Sequence, residues 1–172
     1  MTITAAPTLG TGVARTVTVN RPRAEVYAFW RDFENLPRFM KHLESVTVLD
    51  SRRSHWITKA PAGANVEWNA EITSDEPASL IAWRSGDGSD IDNSGTVRFV
   101  DAPGGRGTEV HVSLRYDAPA GVLGKLIAKM FGEEPEQQIR EDMRRFKCIV
   151  ETGELATVIG QPTGEGRYTG DA

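Results

Sequence analysis

Between Glu44 and Tyr116 apolar and polar residues alternate with a period of two, and short turn-forming links interrupt the alternation. The pattern predicts strands over about 44–50, 54–60, 64–74, 79–85, 94–101 and 107–117. The separators "DSRR", "PAG", "DEP", "GDGSDIDN" and "APGGRG" carry the residues that turns require. Parallel neighbours need crossovers of about a dozen residues or more. Strands linked this tightly therefore form an antiparallel meander, which narrows the fold more than any other feature of the chain.

What flanks the meander completes the class. Upstream, "ARTVTVNR" (14–21) turns Val17 and Val19 one way and Thr16 and Thr18 the other, adding a seventh strand. Pro22 suits a helix start, and Val26, Trp30 and Phe33 follow at i, i+4 and i+7 in a helix ending near Asp32. A second short helical piece is expected over 35–43, with Phe39, Met40 and Leu43 as its apolar side. Downstream, "AGVLGKLIAKMFG" carries Leu123, Leu126, Ile127, Met130 and Phe131 in a helical pattern. A longer helix then places Ile139, Met143, Phe146 and Val150 on one stripe and stops at Gly153. One domain over 13–155 is expected, between flexible tails at 1–12 and 156–172.

Charge and motif content exclude several functions. A net charge of −4 and a pI near 5.4 leave no footprint for nucleic acid. The start has no signal-peptide pattern, and no apolar run reaches the roughly 18–20 residues that span a bilayer, so a cytoplasmic protein without stable membrane insertion is expected. Cys148 is the sole cysteine, which rules out an internal disulfide and a cysteine zinc site. His42, His55 and His111 share no short motif with a carboxylate, so neither a metal site nor a catalytic triad assembles. G-x-S-x-G, H-E-x-x-H and P-loop motifs are missing, and "GDG" and "PGGRG" precede no helix. No cofactor, no metal and no catalytic residue are expected, and nothing in the sequence fixes an oligomeric state.

The order strand, two short helices, meander, long helix resembles the START-like, or helix-grip, superfamily, in particular its polyketide cyclase/dehydrase and coenzyme-Q-binding branch. The resemblance spans about 13–155 and rests on "VTVNRPRAEVYAFWRDFENLPRFMKHLESVTVLD", "VEWNAEITSDEPASLIAWRS" and "GTEVHVSLRYDAPAG". It implies an α+β fold in which a curved seven-stranded antiparallel sheet wraps a long C-terminal helix. A cavity would lie between them, closed at one end by the short helices. Such scaffolds host many activities, so function has to come from the residues of the site.

Those residues are mostly large and apolar. Val66, Trp68, Ala70 and Ile72 share one strand face, which turns Trp68 toward the helix, whereas both faces around Trp83 are mixed. A core tryptophan and a pocket tryptophan look alike in sequence. The candidate ligand-binding set is Phe39 and Met40 from the lid, Trp56, Trp68, Trp83, Arg98, Phe99 and Tyr116 from the sheet, and Met130, Met143 and Phe146 from the helical side. In aromatase/cyclase relatives, pocket arginines and hydroxyls orient a keto chain, a role the resemblance offers to Arg98 and Tyr116. A buried tyrosine hydroxyl equally serves to cap a backbone group. The expected function is binding of a hydrophobic small molecule, such as a lipid, quinone or polyketide-like aromatic. A cyclase or dehydratase using the same pocket is the alternative.

Overall fold

A computed structural model describes residues 11–59, 65–89, 91–117 and 135–154. The strands are β1 (Thr11–Val19), β2 (Leu43–Val48), β3 (Arg53–Thr58), β4 (Val66–Glu76), β5 (Leu80–Ser85), β6 (Asp92–Asp101) and β7 (Thr108–Asp117). Two helices flank them, α1 (Arg23–Arg31) and α2 (Pro135–Thr152), and a 3₁₀ helix runs over Phe33–Arg38. The expected helix in "AGVLGKLIAKMFG", with Leu123, Leu126, Ile127, Met130 and Phe131, lies outside the described residues. So do the "PAG" turn and nearly all of both expected tails.

All seven strands form one antiparallel sheet in the order β1-β7-β6-β5-β4-β3-β2. The meander is as expected, and β1 is set beside β7, with Val17 opposite Val110. β1 starts three residues earlier than the alternation suggested, because β7 offers a partner as far as Tyr116 opposite Thr11. The sheet curls into a half-barrel that holds α2 against its concave face, the helix-grip arrangement. A register shift in β4 between Ile72 and Ser74 inserts an extra residue, and such bulges bend a strand.

The connection from β1 to β2 spans opposite edges of the sheet. Pro22 caps α1, its carbonyl accepting the Val26 N–H at 3.1 Å. Asp32 then ends α1 and starts the next element, its carboxylate accepting the Glu34 N–H at 3.2 Å. The second short helix accordingly begins earlier than expected. It ends at Arg38, because Leu43 is already committed to β2. Asp75, at the end of β4, binds α1 to the sheet by accepting from the Tyr27 hydroxyl and from Arg31 Nε at 2.7 Å. Arg31 also donates to the Ser51 carbonyl at 2.8 Å.

α2 buries Ile139, Met143, Phe146 and Ile149. The expected last contact, Val150, is only half-buried, since the true 3.6-residue period places Ile149 nearer the centre of the stripe. Asp142 shares that stripe and is buried as well. Lys147 Nζ donates to the Thr18 carbonyl (2.6 Å), and the Glu151 carboxylate accepts the Asn20 N–H (2.8 Å), tying the helix to the end of β1. Gly153 adopts φ 76° and donates to Ile149 O at 2.7 Å, closing the helix where the sequence placed its stop.

Candidate functional site

The concave face carries two groups of rings. On the sheet side, Trp56 and Trp68 sit opposite each other on β3 and β4 with centroids 5.7 Å apart. Trp83 stacks 6.1 Å from Trp56, and Phe33 meets both Trp56 and Trp83 edge-on at 5.7 Å. The second group joins Trp30 of α1, Phe39 and Phe146 of α2, with centroids 5.0–5.2 Å apart. Trp83 shares the buried face of β5 with Ile81, and its ring lies over Gly95 of the neighbouring strand. A Cβ there would lie 2.3 Å from the indole, so only glycine leaves the space the ring occupies.

Four indole N–H groups are buried with these rings, and they fare differently. Trp56 donates to Ser54 Oγ at 2.8 Å and Trp83 to Asn93 Oδ1 at 3.2 Å. The Nε1 atoms of Trp30 and Trp68 are buried and have no acceptor among the described residues. Leaving a buried donor unmet costs about 1–3 kcal/mol. Of the two, Trp68 lies on the sheet, on its buried face opposite Trp56.

A polar cluster interrupts the apolar contact between α2 and the segment after the 3₁₀ helix. Asp142 is paired with Arg145, and its second oxygen lies 3.9 Å from His42 Nδ1. Arg145 Nε donates to the Phe39 carbonyl at 3.0 Å. Gln138 Nε2 is 3.0 Å from His42 Nδ1. An amide nitrogen only donates, so Nδ1 accepts and the imidazole proton sits on Nε2. Burial, followed by the positive charge of Arg145, lowers the His42 pKa to about 4, which keeps the ring neutral. Burial raises Asp142 to about 6 despite its bonds to Arg145 and the Lys41 N–H. Burial, with the nearby Asp142 charge, also pushes Tyr116 up, so its hydroxyl stays protonated. A cavity of about 10 Å³ opens among His42, Leu114, Tyr116, Gln138, Ile139 and Asp142. That is room for one water-sized atom.

The residues expected from sequence fall into four groups. Phe39, Met40, Trp56, Trp68, Trp83, Met143 and Phe146 are buried on the concave side. Phe99 is buried there too, but beneath α1, edge-on to Tyr27 at 5.8 Å. Tyr116 is half-buried and belongs to the polar cluster. Arg98 is corrected: it alternates with buried Val97 and Phe99, so it projects from the outer face into solvent and cannot meet an interior ligand. Met130 lies outside the described residues. Sequence reading missed Asp142, Gln138 and Asn93. An aspartate three residues after Ile139 and four before Phe146, on the apolar stripe itself, was the available signal.

The outer face holds two shallow recesses. One, of about 460 Å³, is bordered by His55, Glu67 and Asp87; the other, of about 290 Å³, by Arg84, Ser94 and Arg115. His55 is bound there by Asn69 (2.8 Å) and Glu67 (3.1 Å). Among the described residues no group of three His, Cys, Asp or Glu side chains is placed to hold a metal ion. No described helix is long and apolar enough to cross a membrane.

Known proteins agree with this architecture. A Deinococcus radiodurans protein of solved structure is 46% identical, with a TM-score of 0.70 over 84% of this chain and 99% of that one. An uncharacterized 17.2 kDa protein of Streptomyces lincolnensis is 28% identical over 152 residues, 88% of this chain and 93% of its own. A START superfamily protein of Mycobacterium smegmatis, 16% identical, superposes with a TM-score of 0.59 over 78% of this chain and 94% of that one, a likeness of fold. Residues 19–144 match the family described as polyketide cyclase / dehydrase and lipid transport. With that span covering well over half of the chain, the chain belongs to the family described as polyketide cyclase / dehydrase and lipid transport.

Proposed function

We propose that the protein binds an apolar small molecule with at least one acceptor oxygen, a quinone, lipid or polyketide-like aromatic, between the concave sheet face and α2. The observation that carries this reading is the Trp68 N–H, buried in a wall of rings without an acceptor among the described residues. A ligand carbonyl would relieve that cost of about 1–3 kcal/mol, while the rings supply apolar area at about 25 cal/mol per Å². The described rings touch one another, so a ligand enters by displacing side chains. Met40 and Met143, unbranched and buried, yield at least cost.

The test is native mass spectrometry and organic extraction of protein purified from the organism that makes it, alongside the Trp68→Phe variant. Stoichiometric apolar ligand in the natural protein and its loss in the variant are expected. Empty protein, with tryptophan fluorescence unmoved by added quinones and lipids, overturns the reading.

A cyclase or dehydratase activity is the second reading, favoured by the buried carboxyl and neutral imidazole side by side at the cluster. It requires that Asp142→Asn abolish turnover of a keto substrate while leaving binding measurable.

A further inference from the structure

The polar cluster says what kind of oxygen the ligand carries at that end, an inference that rests on the apolar-ligand reading above. We propose that the cavity among His42, Tyr116, Gln138 and Asp142 seats one neutral ligand oxygen, a hydroxyl or carbonyl, and refuses a carboxylate at neutral pH. The size comes first: about 10 Å³ takes a single oxygen and excludes a headgroup. Leu114 and Ile139 form apolar walls of the cavity, so an oxygen placed there continues an apolar body.

Donors and acceptors are both present, which suits a hydroxyl or carbonyl. The Gln138 amide has a carbonyl oxygen and a second N–H besides the one it gives to His42. Asp142 presents the oxygen that is 3.9 Å from the imidazole, its other oxygen being held by Arg145. A hydroxyl donates to Asp142 and accepts from Gln138; a ketone accepts from Gln138 alone.

A carboxylate meets a different balance. Among the described residues the charged groups facing the cavity are Asp142 and, behind it, Arg145 and Glu141 of α2. The segment after the 3₁₀ helix adds the neutral His42 and the Lys41 N–H; β7 adds the protonated Tyr116, and β1 adds the apolar Val13. Arg145 is spent on Asp142, the Phe39 carbonyl and, at 4.0 Å, Glu141. Among the described residues no positive charge is left for a second anion, which would be desolvated beside Asp142. Protonation of Asp142 on acidification removes that repulsion.

The experiment titrates the full chain with three probes of one chain length, 1-dodecanol, 2-dodecanone and dodecanoic acid, at pH 8 and pH 5, following tryptophan fluorescence. The alcohol and ketone should bind equally at both values. The acid should bind at least about tenfold more weakly than the alcohol at pH 8, and the gap should close at pH 5. Dodecanoic acid itself gains protons near pH 5, so Asp142→Asn separates the two causes: with Arg145 released, it should bring acid binding at pH 8 up to that of the alcohol. Equal binding of acid and alcohol by the natural protein at pH 8 overturns the inference and leaves the apolar-ligand reading standing. An acid-to-alcohol ratio unchanged in a folded Asp142→Asn variant also overturns it. If that variant does not fold, the ratio in the natural protein decides. Binding of none of the three overturns the inference together with the apolar-ligand reading.

Discussion

Replacing Asp142 by asparagine should uncover a pH dependence of stability that Asp142 and His42 cancel between them in the natural chain. The folded state holds Asp142 near pKa 6 against an ordinary 3.8, and His42 near 4 against an ordinary 6.5. At about 1.4 kcal/mol for each tenfold change in proton affinity, either group is worth about 3 kcal/mol in this buried cluster. The signs oppose. Asp142, raised on folding, contributes stability that is full below pH 3.8 and is lost as pH rises through 6. His42, depressed on folding, contributes stability that is full above pH 6.5 and is lost as pH falls through 4. Between those limits the unfolded chain carries an ionised aspartate and a protonated histidine, and the folded chain carries both neutral. The proton count is the same in both states, so the two slopes cancel. In Asp142→Asn only the histidine remains, and unfolding free energy should climb by about 3 kcal/mol from pH 4 to 7. His42→Gln should show the reverse, a fall of similar size over the same range. Urea unfolding at half-unit pH intervals measures all three. Asp50, Asp75 and Glu151, whose pKa values are lowered, act alike in every profile and vanish from the differences. Parallel profiles for the natural chain and both variants would refute the opposed titrations of Asp142 and His42.

Two further changes probe the scaffold. Gly95→Ala places a methyl 2.3 Å from the Trp83 ring and should destabilise by about 1–3 kcal/mol, with an altered near-ultraviolet circular dichroism spectrum; an unchanged denaturation midpoint would show that Trp83 has room to move. Asp75→Ala removes the acceptor shared by Tyr27 and Arg31 and should cost about 1–3 kcal/mol in urea unfolding, whereas no loss would mean that α1 is held by its apolar contacts alone.

The fold was legible because its largest part is written locally. Alternation fixes which of Val66, Trp68, Ala70 and Ile72 face inward, and short turns fix which strands are neighbours. The packing of Trp83 was not legible, since the space its ring fills depends on the bare backbone of Gly95 on the next strand. Nor was the partner of His42, because Gln138 and Asp142 come to it from the far end of the chain by the docking of α2. Buried aspartate is so costly that its place in an apolar stripe is itself a signal, and it becomes readable only once the helix face is assigned. Arg98 shows the reverse: strict alternation with Val97 and Phe99 already pointed it outward, and the family role suggested for it does not survive that geometry.

The pairing of β1 with β7 bears on how the chain is made. β1 leaves the ribosome early, and its hydrogen-bonding partner, with Val17 destined for Val110, is among the last strands to be synthesised. Closure of so long a loop is a late and slow event, and until then an apolar edge stays open to any other chain carrying the same sequence. Exchange of β1 between chains synthesised close together is therefore the misassembly that this topology invites.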